Sequence, residues 1–282
     1  MSGLRPASAQ ALVAACLLGV AGIAPISRAT RNQSSSHRES ASKWSASARG
    51  SANSIMENSS LAERVPFGEG ELLNYRLTWS VFSNAATAQL AVVEKRDLFG
   101  TPTWHFRASA HTQVPLRSLA EIDDQFDSYA DTTALESRQY ETYLSEMGDK
   151  QNTILRLVST EQPRGKSASV VLVKPHTRDP LAALYVLRAV DWVRTPEFRA
   201  PVYDGEDLYE MVARVEAPAE IITVAGGDLK ATRVSVRLFR AGTQSRTKCS
   251  IWFSLDAARI PLVIQAEVPY GSVRADLISK TE

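Results

Sequence analysis

One stretch limits what this chain can become: Asp179-Pro180-Leu181-Ala182-Ala183-Leu184-Tyr185-Val186-Leu187-Arg188-Ala189-Val190-Asp191-Trp192. It reads as a helix. Asp179 can accept hydrogen bonds from the first free backbone N–H groups, and Pro180 suits the first helical position, where a missing N–H costs nothing. Leu181, Leu184, Tyr185, Leu187 and Val190 cover well over half the circumference, so the helix is expected to be enclosed and not laid across a surface. Around it, from Val65 onward, apolar and polar residues alternate with the period of a strand. A lone apolar helix among many strands predicts a mainly β fold: a large curved antiparallel sheet of about a dozen strands, as a half-barrel or a two-layer sandwich, with one main helix near 179–192.

The alternation is specific enough to assign faces. Leu73, Tyr75, Leu77, Trp79 and Val81 share one side of a first strand, and Ala86, Ala88, Leu90 and Val92 continue that side on a second, joined through Ser83-Asn84. The alanines leave room for something large to lie against them. Trp104, Phe106, Ala108 and Ala110 then alternate with His105, Arg107, Ser109 and His111, which are expected on a wet outer face. Strand positions six apart stand about 20 Å from each other, so His105 and His111 cannot share an ion. Glu121, Asp123, Asp124, Asp127 and Asp131 form the densest acidic patch; without the glycine of a calcium loop, it reads as a strand from Gln125 to Ala130 with its charges outward and acids in its flanking turns. Asp204-Gly205, Gly226-Gly227 and Gly271 mark turns between later strands, read at Leu208–Val215, Glu220–Val224, Lys230–Phe239, Cys249–Leu255, Pro261–Val268 and Val273–Ile278.

The N-terminus gives an address. Arg5 precedes an apolar run from Ala11 to Ile26 that gives way to Ser27-Arg28-Ala29, the pattern of a secretory signal peptide covering 1–29. Leu12-Val13-Ala14-Ala15-Cys16 offers the alternative of a lipoprotein box with the lipid on Cys16. Residues 30–64 are rich in Ser, Ala, Asn and Arg and too poor in apolar side chains to offset their ordering entropy, so they read as a tether to a single domain over 65–282. The chain is expected to be exported to the periplasm or outer envelope. Cys249 alone remains after the signal, so stability must come from a core and not from a disulfide, and its alternating neighbours predict a buried thiol.

Charge and motifs narrow the chemistry. With 32 basic and 31 acidic residues interleaved, net charge +1, there is no electrostatic case for nucleic acid. Arg164-Gly165-Lys166-Ser167 lacks the leading glycine and following helix of a phosphate loop, which removes nucleotides. No nucleophile elbow, zinc-helix motif, Cys-x-x-Cys or dinucleotide fingerprint occurs, so no catalytic residue, metal ligand or cofactor is assigned. His176, or the Asp123/Asp124 pair, is the best foothold for a hydrolase reading. The aromatic and helical residues Trp79, Trp104, Phe106, Phe126, Leu181, Leu184, Tyr185 and Trp252 are the candidate lining of a ligand site.

Four stretches in order, Phe67-Gly68-Glu69-Gly70-Glu71-Leu72 with Tyr75 and Trp79, then Asp179-Pro180-Leu181-Ala182-Ala183-Leu184-Tyr185 with Arg188, then Pro201-Val202-Tyr203-Asp204-Gly205, then Asp256-Ala257-Ala258-Arg259-Ile260-Pro261 with Pro269-Tyr270-Gly271-Ser272-Val273, resemble the bacterial domain of unknown function 3108. That resemblance implies an exported, largely β protein and no established catalytic residue or ligand. In outline the organisation is also similar to half-open β carriers of lipoproteins and lipids. The expectation is a non-enzymatic protein holding a lipid or other amphiphile between sheet and helix. An assembly factor docking an envelope protein or polysaccharide is the first alternative, and a hydrolase the second.

Overall fold

The computed structural model describes residues 65–159, 169–245, 247–268 and 271–281. The signal sequence with Cys16, the tether and the 164–167 stretch lie outside the described residues. The strands are β1 (Leu72–Trp79), β2 (Phe82–Leu98), β3 (Thr101–Thr112), β4 (Asp123–Asp131), β5 (Ser137–Glu146), β6 (Asp149–Val158) and β7 (Ser169–Leu172) before the helix α1 (Pro180–Ala189). After it come β8 (Glu197–Tyr203), β9 (Leu208–Val224), β10 (Gly227–Arg240), β11 (Thr243–Gln244), β12 (Lys248–Ser254), β13 (Pro261–Val268) and β14 (Gly271–Thr281). They form one 14-stranded sheet in the order β7-β6-β5-β4-β3-β2-β1-β14-β13-β12-β10-β9-β8, with β11 paired beside β10. The pairings are antiparallel except β6 with β7. The alternating strands thus build one continuous, mainly antiparallel sheet.

Closure between the first and last strands is what gives the sheet its shape. β1 pairs with β14 along its length, Leu73 opposite Lys280 and Trp79 opposite Val273, so the first and last described strands meet in the middle of the sheet and the free edges fall at β7 and β8. A sheet this wide curls with the right-handed twist of its strands. Its two sides then approach across the segment that leads into α1. Ser137 at the start of β5 donates its N–H to the Thr177 carbonyl at 3.1 Å, and Arg178 bridges to β8 through Arg178 N–H to Pro201 O at 3.0 Å and Tyr203 N–H to Arg178 O at 2.9 Å. The sheet remains open, with this segment spanning the gap.

The helix sits inside the curl, and all ten of its residues are buried. Asp179 caps it as its sequence position predicts, accepting from Leu181 N–H and Ala182 N–H at 2.9 Å each. It does more. Its other oxygen accepts from Ser128 Oγ on β4 at 2.6 Å and Ser137 Oγ on β5 at 2.5 Å, so one side chain fixes the helix start to two strands. Helical geometry stops at Ala189 with Val190 already extended, earlier than the pattern to Trp192 suggests, and Trp192 folds back to donate its indole N–H to Leu187 O at 3.0 Å.

At the other end, Arg188 is fully buried and its guanidinium meets the Glu71 carboxylate through two hydrogen bonds, 2.6 and 3.1 Å. The same guanidinium donates to Ala258 O at 3.2 Å, while Arg259 returns a hydrogen bond from its Nε to Arg188 O at 2.6 Å. Phe67 lies edge-on to Trp104, Phe106 and Tyr185, and Phe106 stacks on Tyr185 at 3.8 Å. Tyr75 donates its hydroxyl to Pro261 O at 2.8 Å. Phe67 with Glu71, Pro201 with Tyr203, and Ala258 with Arg259 thus meet the helix or the segment that leads into it, while Pro269 and Tyr270 lie outside the described residues.

Several boundaries differ from the pattern. The first turn falls at Ser80-Val81, with Ser80 at φ +51°, and leaves Val81 exposed instead of continuing the buried row. β9 is one long strand where two are expected, because irregularities opposite Arg233 absorb the break around Ala217 and Pro218. Cys249 is buried, and burial pushes its thiol up to about 12.

Candidate functional site

The inner face changes character along β3. Trp104 and Phe106 lie in the core with α1, but the next inward positions are Ala108 and Ala110, and they pair with Leu90 and Ala88 on β2. Tyr75 and Leu77 on β1, Ala275 on β14 and Ile264 on β13 continue this surface through direct register, Tyr75 opposite Ala88, Leu77 opposite Ala275, and Ala275 opposite Ile264. Methyl groups stand where the rows beside them carry rings. What results is a small apolar groove, about 340 Å³ when the open solvent at its mouth is included, lined among others by Tyr75, Leu77, Ala88, Leu90, Ala108 and Ala110, all but Ala88 of them buried.

None of the candidate lining residues read from the sequence lines this groove, although they share one continuous core with its walls. Trp104, Phe106, Phe126, Leu181, Leu184 and Tyr185 are all buried in the main core, and Trp252 sits at its margin with its indole donating to Glu220. Trp79, half-buried, packs against that core and also against a smaller cluster of Ala85, Leu116, Ala120 and Ile122. The alternating pattern marks the alanines of β2 as leaving space, and it marks Ala108 and Ala110 only as strand positions. Pairing register, which the sequence does not print, puts them side by side.

The polar candidates separate by face. Asp123 and Asp124 are adjacent on β4 and therefore point to opposite sides of the sheet, so they cannot act on one substrate atom. Asp123 is on the outside, where hydrogen bonds from Arg117 at 2.8 and 3.0 Å and from the His111 side at 2.9 Å hold its carboxyl down to about 2. Asp124 shares the inner face with its cross-strand partner Ala110. Burial pushes it up to about 7; its Oδ1 accepts from Ser145 N–H at 3.0 Å, and its buried Oδ2 meets no hydrogen-bond partner.

His105 corrects the expectation of a wet outer face. It is 4% exposed, lies parallel to the Tyr129 ring at 4.4 Å, and contacts Asp127 Oδ1 through Nε2 at 2.5 Å. Arg107 donates to the same oxygen at 2.8 Å and Gln125 to the other at 2.6 Å, so a buried carboxylate on an outer face is satisfied by its own strand neighbours. His176, with φ +62°, places both its backbone N–H and Nδ1 at 2.7 Å from Glu136 Oε1. That is an acid–histidine contact in the lead-in to α1, where the ring braces the segment that bridges the gap. Among the described residues no group of three His, Cys, Asp or Glu side chains converges as a metal site.

A β-barrel-like protein of domain of unknown function DUF1849 from Brucella abortus is 12% identical with a TM-score of 0.48, covering 74% of this chain and 96% of that one. A hypothetical protein from Chlamydia trachomatis is 8% identical with a TM-score of 0.34, covering 76% of this chain and 88% of that one. No curated protein matches the chain. Residues 74–278 match the model of DUF3108, described as a protein of unknown function, and the chain belongs to that family.

Proposed function

We propose that this is an exported envelope protein that binds, without chemistry, the apolar chain of a lipid-like amphiphile in the alanine-lined groove on the inner face of its sheet. The observation that carries this reading is the change from aromatic to methyl side chains along β3, from Trp104 and Phe106 to Ala108 and Ala110 opposite Leu90 and Ala88 of β2, which leaves an apolar concavity in the inner face. Apolar surface left in a concave wall gains free energy on covering, at about 25 cal/mol per Å². The groove is shallow, so it would seat one side of a narrow chain and leave the other to solvent or to a second apolar surface. Export rests on the signal sequence, and the carrier role on the groove.

The test is native mass spectrometry of the protein purified from envelope extracts, with uptake of an environment-sensitive fluorescent fatty acid as the second readout. Co-purifying lipid in the wild type, lost together with dye uptake in Ala88→Trp or Ala110→Trp, is expected. A clean apo mass and no dye uptake would overturn the reading.

A further inference from the structure

The connections that follow β1, β3 and β5 fall at one end of the sheet, because in an antiparallel run every second turn returns to the same side. Each carries apolar side chains out into water: Val81 is 86% exposed, Val114 72%, Leu119 66% and Met147 60%. Ser80-Val81 and Met147-Gly148 are two-residue turns, closed by Trp79 opposite Phe82 and by Glu146 opposite Asp149, and Met147 holds φ +52°. Such positions favour Gly, Asn or Asp, which adopt left-handed backbone readily and bond locally. A large apolar side chain placed there is strained and wet, a local cost with no local return. Phe99, at the far end of β2, also has a positive φ, +56°, but the Arg156 guanidinium lies 3.8 Å from its ring centre.

The tips stand on one braced rim. Gln113 N–H donates to Ala85 O at 2.9 Å and Met147 N–H to Glu121 O at 2.8 Å, so each connection is tied to the next. Beneath them Ala85, Leu116, Ala120 and Ile122 pack as a buried cluster against Trp79 and Phe82. Val81 and Val114 come four residues after Leu77 and Ala110, within about 13 Å by strand rise, so the rim continues strands that wall the groove.

Charge and spacing select the partner. Arg117 donates to Glu121 at 2.7 Å and to Asp123 at 2.8 and 3.0 Å, so the arginine of the rim is neutralised within it, and Met147-Gly148 is followed by Asp149-Lys150, one charge of each sign. An anionic surface therefore finds no excess of positive charge here. Four side chains on separate connections need no matching sockets in a fluid acyl layer, whereas a folded partner would have to supply one for each. We propose that this rim docks on a neutral phospholipid surface, with Val81, Val114, Leu119 and Met147 entering the acyl boundary. The docking goes beyond ligand binding and holds whether or not the groove takes a chain.

The experiment is flotation of the full exported chain with phosphatidylcholine vesicles, carrying Cys16→Ser so that no lipid anchor contributes. It is expected to float with the vesicles, and added phosphatidylglycerol should strengthen binding by no more than about twofold. Val81→Asn with Met147→Asn places at both turns a residue that turn chemistry favours, so thermal stability should hold or rise. Vesicle partitioning should nonetheless fall about a hundredfold, roughly tenfold for each side chain kept out of the acyl layer. Uptake of the fluorescent fatty acid, which reads the groove, should be unchanged in this variant. Absence of flotation, or equal flotation of the variant, overturns the docking and leaves the groove reading untouched. Flotation that needs phosphatidylglycerol overturns it in favour of charge. A dimer in sedimentation that the variant dissolves assigns the rim to a second copy and overturns it as well.

Discussion

Removing the Glu71 carboxylate while leaving Arg188 in place tests whether the buried ion pair holds the helix in the sheet. In Glu71→Ala the guanidinium, 1% exposed, keeps only carbonyls at 3.2 Å (Ala258), 3.3 Å (Arg259) and 3.5 Å (Pro66), all of them longer than the 2.6 Å contact it loses. Breaking a buried pair by deleting one partner costs roughly 3–5 kcal/mol because a charge is left uncompensated. The three carbonyls place the expected loss near the lower bound, about 3 kcal/mol. For a domain of this size that is a fall in Tm of roughly 6–12 °C. The decisive control is Glu71→Ala with Arg188→Leu, which removes both charges from a site walled by Phe67 and Tyr185. The double variant should be more stable than Glu71→Ala alone, since no charge is then stranded. Urea denaturation of the three proteins, with unchanged m-values as the check on two-state behaviour, gives the numbers. If Glu71→Ala loses less than about 0.5 kcal/mol, or the double variant is no better than the single, the pair is not what secures α1.

Four further outcomes follow from side chains already placed. Asp179→Ala should cost about 3 kcal/mol in urea unfolding, because it removes a helix cap and strands the Ser128 hydroxyl; Asp179→Asn should cost less, since it keeps one carbonyl oxygen for Leu181 and Ala182. Asp124 has a folded pKa of about 7, above its unfolded value near 4. It therefore holds its proton longer in the folded state, and its contribution to stability is present below about pH 4 and lost as pH rises from there through about 7; Asp124→Asn should flatten the pH–stability curve in that window. Asp123, held down to about 2, acts in the opposite sense and loses its contribution as pH falls from about 4 through 2. Cys249, with its thiol at about 12, should resist thiol reagents in the native protein and react at the rate of global unfolding, followed by mass spectrometry across a urea series.

Period-two alternation, turn dipeptides and one capped apolar run were enough, in the sequence alone, to establish a wide antiparallel sheet around a single buried helix. Those signals are local: a side chain's face on a strand depends on its parity, and a cap on its immediate neighbours. Asp179 is a case in point, since its capping role follows from position, whereas its bonds to Ser128 and Ser137 join residues about forty to fifty positions away. Tertiary structure alone decided which strands became neighbours. Closure of β1 on β14 and the register of β2 with β3 brought Ala88, Ala108 and Ala110 together as a groove, while Trp104, Phe106 and Tyr185 pack together in the core. It also sent Asp123 and Asp124 to opposite sides and buried His105 against Asp127 on a face that parity marks only as outer. Burial and pairing are sums over strands far apart in the chain, and no window of sequence contains them.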